Sequence, residues 1–209
     1  MLDIGAHTGS WARTIHHLLP DARIYSFEPI PESYSALCRR MEGVSRFNAF
    51  NLALGDKVGE LEFNRNAFAA SSSCLPMAEQ HVRAFPKTRD SSVIKVKMGR
   101  LDEVASGLTL EDNIMIKVDV QGYEDKVIHG GMCTFGRAIL VIAEVSFVTL
   151  YEGQPLFEDI HARLGELGFR YVGNLDQMLS PLNGRVLQAD AIFLHERLAT
   201  SNTRTTVKT

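Results

Sequence analysis

The chain has 209 residues, of which 45% are hydrophobic, and carries a formal net charge of −3. This length and apolar content suffice for one folded domain with a substantial core. The lack of a basic excess disfavours DNA or RNA as a partner. No apolar run reaches the roughly 18 residues that a membrane span requires, and we expect no signal peptide. The three cysteines are scattered without metal-finger spacing, which indicates buried thiols in a reducing compartment and predicts a cytoplasmic protein.

The first 28 residues combine a short apolar strand, a glycine turn, an amphipathic helix and a second strand. Asp3 lies at the end of the first strand, Gly5 and Gly9 flank the turn, and Glu28 follows the second strand. Glycine lets the backbone bend and approach a ligand closely, and free N–H groups at a helix start favour a negative group. A carboxylate such as Glu28 can accept hydrogen bonds from two ribose hydroxyls. This unit predicts a nucleoside site.

The glycine loop differs from the dinucleotide fingerprint Gly-x-Gly-x-x-Gly, because His7 occupies the position of the middle glycine. Asp3 would repel a diphosphate but could accept a hydrogen bond from an ammonium group. S-adenosylmethionine, which has an amino-acid end and an adenosine end, therefore suits this loop better than NAD or ATP. The alternative is a turn that only joins a strand to a helix, since short glycine motifs recur by chance.

The pattern further along the chain alternates between strands and helices. Helices are predicted over residues 32–41 and 156–167, with a short one beginning over residues 101–104. Strands are predicted over residues 47–54, 60–63, 93–98, 114–120, 138–144, 169–172 and 191–195, the second of these as a hairpin partner. Residues 64–92 are polar and lack periodicity, and a loop of that length is usually functional or disordered.

This alternation predicts an α/β fold, a three-layer sandwich with helices on both faces of a mostly parallel sheet. In such sheets ligands bind beyond the carboxyl ends of the strands, and Asp3, Glu28, Asp119 and Glu144 all fall at predicted strand ends. One such residue is more often a helix cap, but four at one rim indicate a site. We expect one domain over residues 1–196 followed by a polar tail.

The expected tail covers residues 197–209. At the other end only four residues precede the first turn, fewer than the roughly five or six of a typical strand. We therefore expect residues upstream of Met1 to be missing.

A series of short motifs recurs along nearly the whole chain, from Met1 to about His195. The motifs are Asp3-Ile-Gly-Ala-His-Thr-Gly9, Phe27-Glu-Pro29, Asn51-Leu-Ala-Leu-Gly-Asp56, Leu101-Asp102, Ile116-Lys-Val-Asp-Val-Gln-Gly-Tyr-Glu124, Glu144 and Asp190-Ala-Ile-Phe193. Together they resemble the FkbM-type family of S-adenosylmethionine-dependent methyltransferases. The segment that ends in Glu124 is the most specific. Two departures are visible: His7 stands where the family more usually carries asparagine, and Gln121 where glutamate is usual.

The resemblance implies a class I methyltransferase fold, with a seven-stranded sheet whose last-but-one strand in space is antiparallel, plus a small extra β-hairpin. It also implies S-adenosylmethionine as the cofactor. The residues expected to contact it are Asp3, Gly5, Ala6, His7, Thr8, Gly9, Glu28, Leu52, Ala53 and Asp119.

Each of these residues has an implied role. The glycine loop would cradle the methionine part, with Asp3 near its amino group. Glu28 would hold the ribose hydroxyls, Leu52 and Ala53 would flank adenine, and Asp119 would lie closest to the sulfonium. Members of the family mostly methylate hydroxyl oxygens, often on sugars or natural products. A small-molecule or glycan acceptor is therefore expected, and a homo-oligomer stays open.

Methyl transfer from a sulfonium releases a neutral thioether, so no acid is needed. A general base adds about 10²–10⁴-fold for a hydroxyl acceptor. Asp119 is favoured as that base because it ends a central strand, and Glu144, His7 and His129 are further candidates. Glu144 could instead bind acceptor hydroxyls or Lys117. Asp119 and Glu144 are thus the expected catalytic residues.

Several alternatives stay open. Asp119 and Glu144 could share Mg²⁺, but carboxylate pairs more often serve hydrogen bonding, so no metal site is predicted. Methylation of nitrogen or of a protein, an NAD-dependent oxidoreductase and a non-catalytic nucleoside-binding domain are the other functions considered. Loops over residues 64–92, 147–153 and 174–184 are the expected lids. Four aromatic residues could stack on a sugar, although packing is their commoner role: Phe68, Phe85, Phe147 and Tyr151.

Overall fold

The computed structural model describes residues 1–66, 72–88 and 91–201. The strands are β1 (Leu2–Ile4), β2 (Ile24–Phe27), β3 (Phe47–Phe50), β4 (Ala53–Gly55), β5 (Gly59–Asn66), β6 (Ser91–Arg100), β7 (Ile114–Val118), β8 (Ala138–Ser146), β9 (Phe169–Leu179) and β10 (Val186–His195). The helices are α1 (Ser10–Leu18), α2 (Pro31–Arg40), α3 (Glu79–Ala84), α4 (Leu101–Ala105), α5 (Glu124–Gly130), α6 (Met132–Arg137), α7 (Phe157–Glu166) and α8 (Glu196–Ser201), with a 3-10 turn at Pro86–Thr88.

Seven strands form the main sheet in the order β3-β2-β1-β7-β8-β10-β9. The pairs from β3 to β8 are parallel, whereas β10 runs antiparallel to both of its neighbours. Strands β1 and β2 are buried along their whole length, as expected where helices cover both faces. This confirms the predicted fold class, including the antiparallel strand in the last-but-one position.

Consecutive residues of β2 point to opposite faces of the main sheet, and helices cover both faces. Ile24 packs with Ala12 and Leu37, which come from α1 and α2. Its neighbour Tyr25 belongs to the larger cluster on the opposite face, which includes residues of α4, α5, α6 and α7 such as Ile128 and Ile160. The carboxyl ends of the parallel strands therefore emerge between two layers of helices.

The expected third strand over residues 47–54 is wrong in its extent, because it is two strands in different sheets. β3 pairs with β2, whereas β4 pairs in parallel with β6 in a second sheet of order β4-β6-β5. Between them, the Asn51 amide donates to the carbonyl oxygens of Glu28 and Pro29, each at 2.9 Å. These bonds hold the chain where it leaves the main sheet. The expected hairpin between residues 47–54 and residues 60–63 is also wrong, because residues 60–63 belong to β5, which pairs antiparallel with β6 and does not neighbour β4.

The expected loop over residues 64–92 is shorter than predicted, because β5 extends to Asn66 and β6 begins at Ser91. Ser73 exchanges two backbone hydrogen bonds with Asn64, and Ala78 N–H donates to the carbonyl of Leu150 at 2.9 Å. Residues 72–88, which include α3 and the 3-10 turn, are therefore anchored to distant parts of the chain. We call residues 72–88 the lid. Phe68 lies outside the described residues.

The C-terminal strands are longer than predicted. Glu144 is not the last residue of its strand, since β8 continues to Ser146, and β9 and β10 span 11 and 10 residues. Register shifts interrupt the β9–β10 pairing and mask the alternation that a sequence pattern would show. After β10 the chain forms α8, and residues 202–209 of the expected tail lie outside the described residues. No helix within the described ranges is long and apolar enough to span a membrane.

Candidate active site

A cavity of about 690 Å³ lies beyond the carboxyl ends of β1, β2 and β7, within the size range of small-molecule sites. Its wall brings together predicted residues from five separate parts of the chain: Gly5, His7, Glu28, Leu52, Ala53, Asp119 and Glu144. Asp3, Ala6, Thr8, Gly9 and His129 do not lie on this wall.

The glycine loop is held tightly between β2 and the end of β7. The N–H groups of Gly5 and Ala6 both donate to the carbonyl of Phe27 at 3.0 Å. Gly5 has a φ of +82°, and a Cβ added there would lie 1.8 Å from the carbonyl oxygen of Asp119. His7 adopts a φ of +49°, a left-handed conformation in which asparagine and histidine are both enriched. The exchange of these two residue types at position 7 is thus compatible with the same turn.

Glu28 is 4% exposed and is held by two backbone donors. Its Oε2 accepts a hydrogen bond from His7 N–H at 2.8 Å, and its Oε1 accepts one from Ile30 N–H at 2.9 Å. An ionised carboxylate has about four acceptor positions, so each oxygen keeps one for a ligand. Burial raises the pKa of Glu28 to about 7, although both amide donors favour the ionised form.

Asp3 is fully buried behind the cavity wall. Its Oδ2 accepts a hydrogen bond from the Ser26 hydroxyl at 3.0 Å, whereas its Oδ1 is buried with no partner among the described residues. Burial raises the pKa of Asp3 to about 6, and the nearby Lys117 ammonium opposes that rise. A buried acceptor without a hydrogen-bond donor lowers the stability of the fold. A donor that reached Oδ1 of Asp3 would therefore gain a favourable hydrogen bond.

Asp119 and Glu144, which we call the carboxylate pair, are joined by side-chain amides. Asp119 Oδ2 accepts from Lys117 Nζ at 2.6 Å, and its Oδ1 accepts from Gln121 Nε2 at 2.9 Å. The same Gln121 nitrogen donates to Glu144 Oε2 at 2.6 Å, where Gln188 Nε2 also donates at 3.0 Å. The network places two anions on the cavity wall with one buried cation beside them.

The two carboxylates differ in their electrostatic surroundings. Burial alone would raise the pKa of Asp119, but the Lys117 ammonium at hydrogen-bond distance holds it below its usual range. The pKa of Glu144 is raised well above its usual range by burial and by the charge of Asp119. Asp119 is therefore the stronger anion and Glu144 the group that more readily takes a proton.

The lid supplies part of the wall of the cavity. His81 and Phe85 line it, and the His81 ring lies 5.3 Å from the ring of the buried Tyr151. The Tyr151 hydroxyl donates to Gln121 Oε1 at 2.7 Å. Phe147 is instead 39% exposed and stacks on Phe157 at 5.4 Å, away from the cavity wall.

Sequence reasoning misses His81 and Gln188, which line the cavity. It also misses Ser73, which does not line the cavity but whose hydroxyl donates to the carbonyl of Gln121 at 2.6 Å. His81 and Ser73 fall in the segment expected to be a loop, and Gln188 lies in a strand whose pattern is interrupted. Their partners are distant in sequence, so no local signal indicates them. Tertiary contacts alone bring His81 and Gln188 to the cavity and Ser73 to Gln121.

Glu124, at the start of α5, makes folding stability dependent on pH. It is 3% exposed, and its Oε1 accepts from the N–H groups of Val120 and Gly122 at 3.0 and 3.2 Å. Burial raises the pKa of Glu124 from 4.5 to about 7. Because the folded state then binds a proton more tightly than the unfolded state, the free energy of unfolding falls as pH rises from about 4.5 to about 7.

We expect Glu124→Gln to raise the free energy of unfolding at pH 8 by roughly 1–3 kcal/mol. The amide keeps an acceptor oxygen for both N–H groups and removes the charge, so no gain is expected at pH 4. Chemical denaturation at both pH values measures this difference. Glu166→Gln, at an exposed position on α7, is the matched control. A gain that is equal at both pH values would contradict the explanation.

Comparison with known proteins places the chain among methyltransferases. The family described as the methyltransferase FkbM domain matches residues 3–171. The 2-O-methyltransferase NoeI of Sinorhizobium fredii (strain NBRC 101917 / NGR234) is 35% identical over 161 residues, which cover 74% of this chain and 66% of that protein. The chain thus spans just under two thirds of the length of this curated relative.

Two crystal structures share the fold. Methyltransferase FkbM from Methylobacillus flagellatus KT matches with a TM-score of 0.58 at 12% identity, covering 93% of this chain and 43% of that one. Fibrillarin from Aeropyrum pernix, in complex with S-adenosyl-L-methionine, matches with a TM-score of 0.50 at 12% identity, covering 91% of this chain and 64% of that one. Because the family match covers most of the sequence and includes the glycine loop, Glu28 and the carboxylate pair, this chain belongs to the FkbM methyltransferase family.

Proposed function

We propose that this chain binds S-adenosylmethionine in the cavity beside the glycine loop and transfers its methyl group to a hydroxyl oxygen. The observation that carries the proposal is the position of Glu28. Its two oxygens are fixed by backbone N–H groups on the cavity wall and each keeps an acceptor position. Two adjacent ribose hydroxyls would complete this arrangement.

The other residues of the cavity fit the same cofactor. Leu52 and Ala53 offer an apolar surface for adenine. Asp3 is fully buried and does not line the cavity. Its unpartnered Oδ1 is the proposed acceptor for the ammonium group of the methionine part, which requires the glycine loop to shift on binding. Gly5 lets that loop pack against the end of β7. When bound, the cofactor supplies a methyl group on a positively charged sulfur.

A sugar or a related natural product is the proposed acceptor. The relative NoeI is named as a 2-O-methyltransferase, which favours oxygen over nitrogen as the methylated atom. The cavity wall also offers hydrogen-bonding groups such as Gln188 and Thr88 together with the ring of Phe85. Amides, hydroxyls and an aromatic face suit a ligand with several hydroxyls. The three cysteines are free but are not buried as expected, since Cys133 is exposed and the other two are partly exposed. Free thiols are in keeping with a cytoplasmic site of action.

Catalysis in this site would come from placement and electrostatics. The cavity would hold the two reactants together, which can lower the barrier by about 7 kcal/mol or more. We propose the carboxylate pair, Asp119 and Glu144, as the catalytic groups. One carboxylate would lie beside the sulfonium as an anion, and the other would accept the proton of the hydroxyl. No acid is needed, because the leaving group is a neutral thioether.

A calorimetric titration with S-adenosylhomocysteine tests the proposal. We expect one molecule to bind per chain, because the product keeps the adenosine and amino-acid groups that the cavity would recognise. NADH is the matched control, since it carries a ribose but also a pyrophosphate. Binding of NADH in preference to S-adenosylhomocysteine, or of neither, would overturn the proposed cofactor.

A further inference from the structure

The side-chain amide of Gln121 lies between the two carboxylates with all its hydrogen-bonding groups in use. Its nitrogen donates to Asp119 Oδ1 at 2.9 Å and to Glu144 Oε2 at 2.6 Å, and its oxygen accepts from the Tyr151 hydroxyl at 2.7 Å. The reverse orientation of the amide would bring its oxygen against two anions, so only one orientation is favourable. The backbone of Gln121 is in the left-handed conformation, with a φ of +56°, and its side chain extends from there to both carboxylates.

Both oxygens of Asp119 are already engaged. Oδ1 accepts from Gln121, and Oδ2 accepts from Lys117 Nζ at 2.6 Å. The Lys117 side chain is 8% exposed, and protonation of Asp119 would leave this buried cation without its nearest partner. Such a loss costs several kcal/mol, so Asp119 is poorly suited to accept a proton.

Glu144 has the opposite arrangement. Both of its amide donors, Gln121 and Gln188, converge on Oε2. Its Oε1 has no hydrogen-bond partner among the described residues, and Glu144 is half-buried on the cavity wall. The charged groups that act on it are Asp119, Glu124, Asp190 and Lys117. The three carboxylates favour its protonation and the lysine opposes it.

We propose that Gln121 is a positioning residue that gives the carboxylate pair unequal roles, keeping Asp119 as a fixed anion and leaving Glu144 Oε1 to take the proton of the acceptor hydroxyl. This inference rests on the proposed function. The hydroxyl oxygen forms a bond to the methyl carbon while the bond from that carbon to sulfur breaks. The electron pair of that bond stays on sulfur, and the hydroxyl proton passes to Glu144.

The first test needs no acceptor. Carbon-13 NMR of the labelled carboxyl groups, with and without S-adenosylhomocysteine, follows the ionisation of Asp119 and Glu144 separately. We expect Glu144 to titrate at higher pH than Asp119. In Gln121→Glu the pKa of Glu144 should rise further, because an anion replaces an amide donor. Gln177→Glu, which makes the same change at an exposed position on β9, should leave both titrations unchanged. Titration of Asp119 above Glu144 would overturn the assignment.

The second test measures methyl transfer to a panel of methyl glycosides with a free 2-hydroxyl, followed as S-adenosylhomocysteine released. Glu144→Gln should lower kcat by about 100-fold or more, with the affinity for S-adenosylhomocysteine changed less than about threefold. Gln121→Glu should lower kcat and move the acid limb of its pH profile upward. A Glu144→Gln variant that keeps its kcat would refute the inference while leaving the proposed function intact. Failure of the wild-type chain to bind S-adenosylhomocysteine would instead refute the proposed function.

Discussion

Replacing Gly5 by alanine is expected to abolish cofactor binding and to destabilise the fold by roughly 3 kcal/mol or more. The new Cβ would lie 1.8 Å from the carbonyl oxygen of Asp119, and Gly5 has a φ of +82°. Left-handed backbone costs a residue with a Cβ about 1–2 kcal/mol, and overpacking adds about 1–3 kcal/mol. Because the clashing atom belongs to the backbone and not to a flexible side chain, the clash can be removed only if the glycine loop moves away from the end of β7. Calorimetry with S-adenosylhomocysteine and chemical denaturation measure the two effects.

Gly43 provides the matched control for this substitution. Its φ is +80°, almost the same as that of Gly5, but an added Cβ would meet no atom within 4 Å. Gly43→Ala should therefore cost only about 1–2 kcal/mol and leave binding unchanged. Equal losses in the two variants would show that backbone conformation, and not the close approach to Asp119, governs the effect.

Glu28→Gln is expected to weaken binding of S-adenosylhomocysteine by about 100-fold while changing the shape of the side chain very little. Each carboxylate oxygen accepts a hydrogen bond from a backbone N–H, one from His7 and one from Ile30. In glutamine an NH₂ group replaces one of these oxygens, so one backbone N–H would meet a second donor in place of an acceptor. That loss leaves a buried N–H without its partner, at about 1–3 kcal/mol. The remaining acceptor would also carry no charge for the ribose hydroxyls.

Calorimetric titration measures this change, and Glu32→Gln is its control. Glu32 lies on α2 close in sequence, but its side chain is exposed and pairs with Arg65 at the surface, an interaction of small energy. The control should bind as the wild type does. If Glu28→Gln also bound normally, the ribose would have to lie elsewhere in the cavity.

The parts of this fold that the sequence predicts well are those with local signals. Strands β1, β2 and β7 are short apolar runs, and the rule that parallel strands present their carboxyl ends at one edge brings Glu28 and Asp119 to one cavity. The glycine turn is equally local, since Gly5 and Gly9 both adopt the positive φ that a tight turn needs.

The parts that it predicts poorly depend on distant partners. The break after β3 is held by bonds from Asn51 to residues 22 and 23 positions earlier. The lid is anchored to Leu150, and Gln121 acquires its role only through Glu144 and Tyr151. The partners of both Asp119 oxygens, Lys117 and Gln121, are only two residues away along the chain, but the sequence does not show which way their side chains point.

The chain leaves the main body of the fold after β4 and returns to it where β6 leads into α4. Gly55, the last residue of β4, packs so closely on α5 that a Cβ at Gly130 would lie 1.9 Å from its carbonyl oxygen, and β6 leads directly into α4. The described residues between Asp56 and Arg100 therefore belong to a segment whose two ends are held against the main body. Strands β5 and β6 of this segment pair only within the small sheet, so changing the length of the loops between them would leave the strand order of the main sheet untouched.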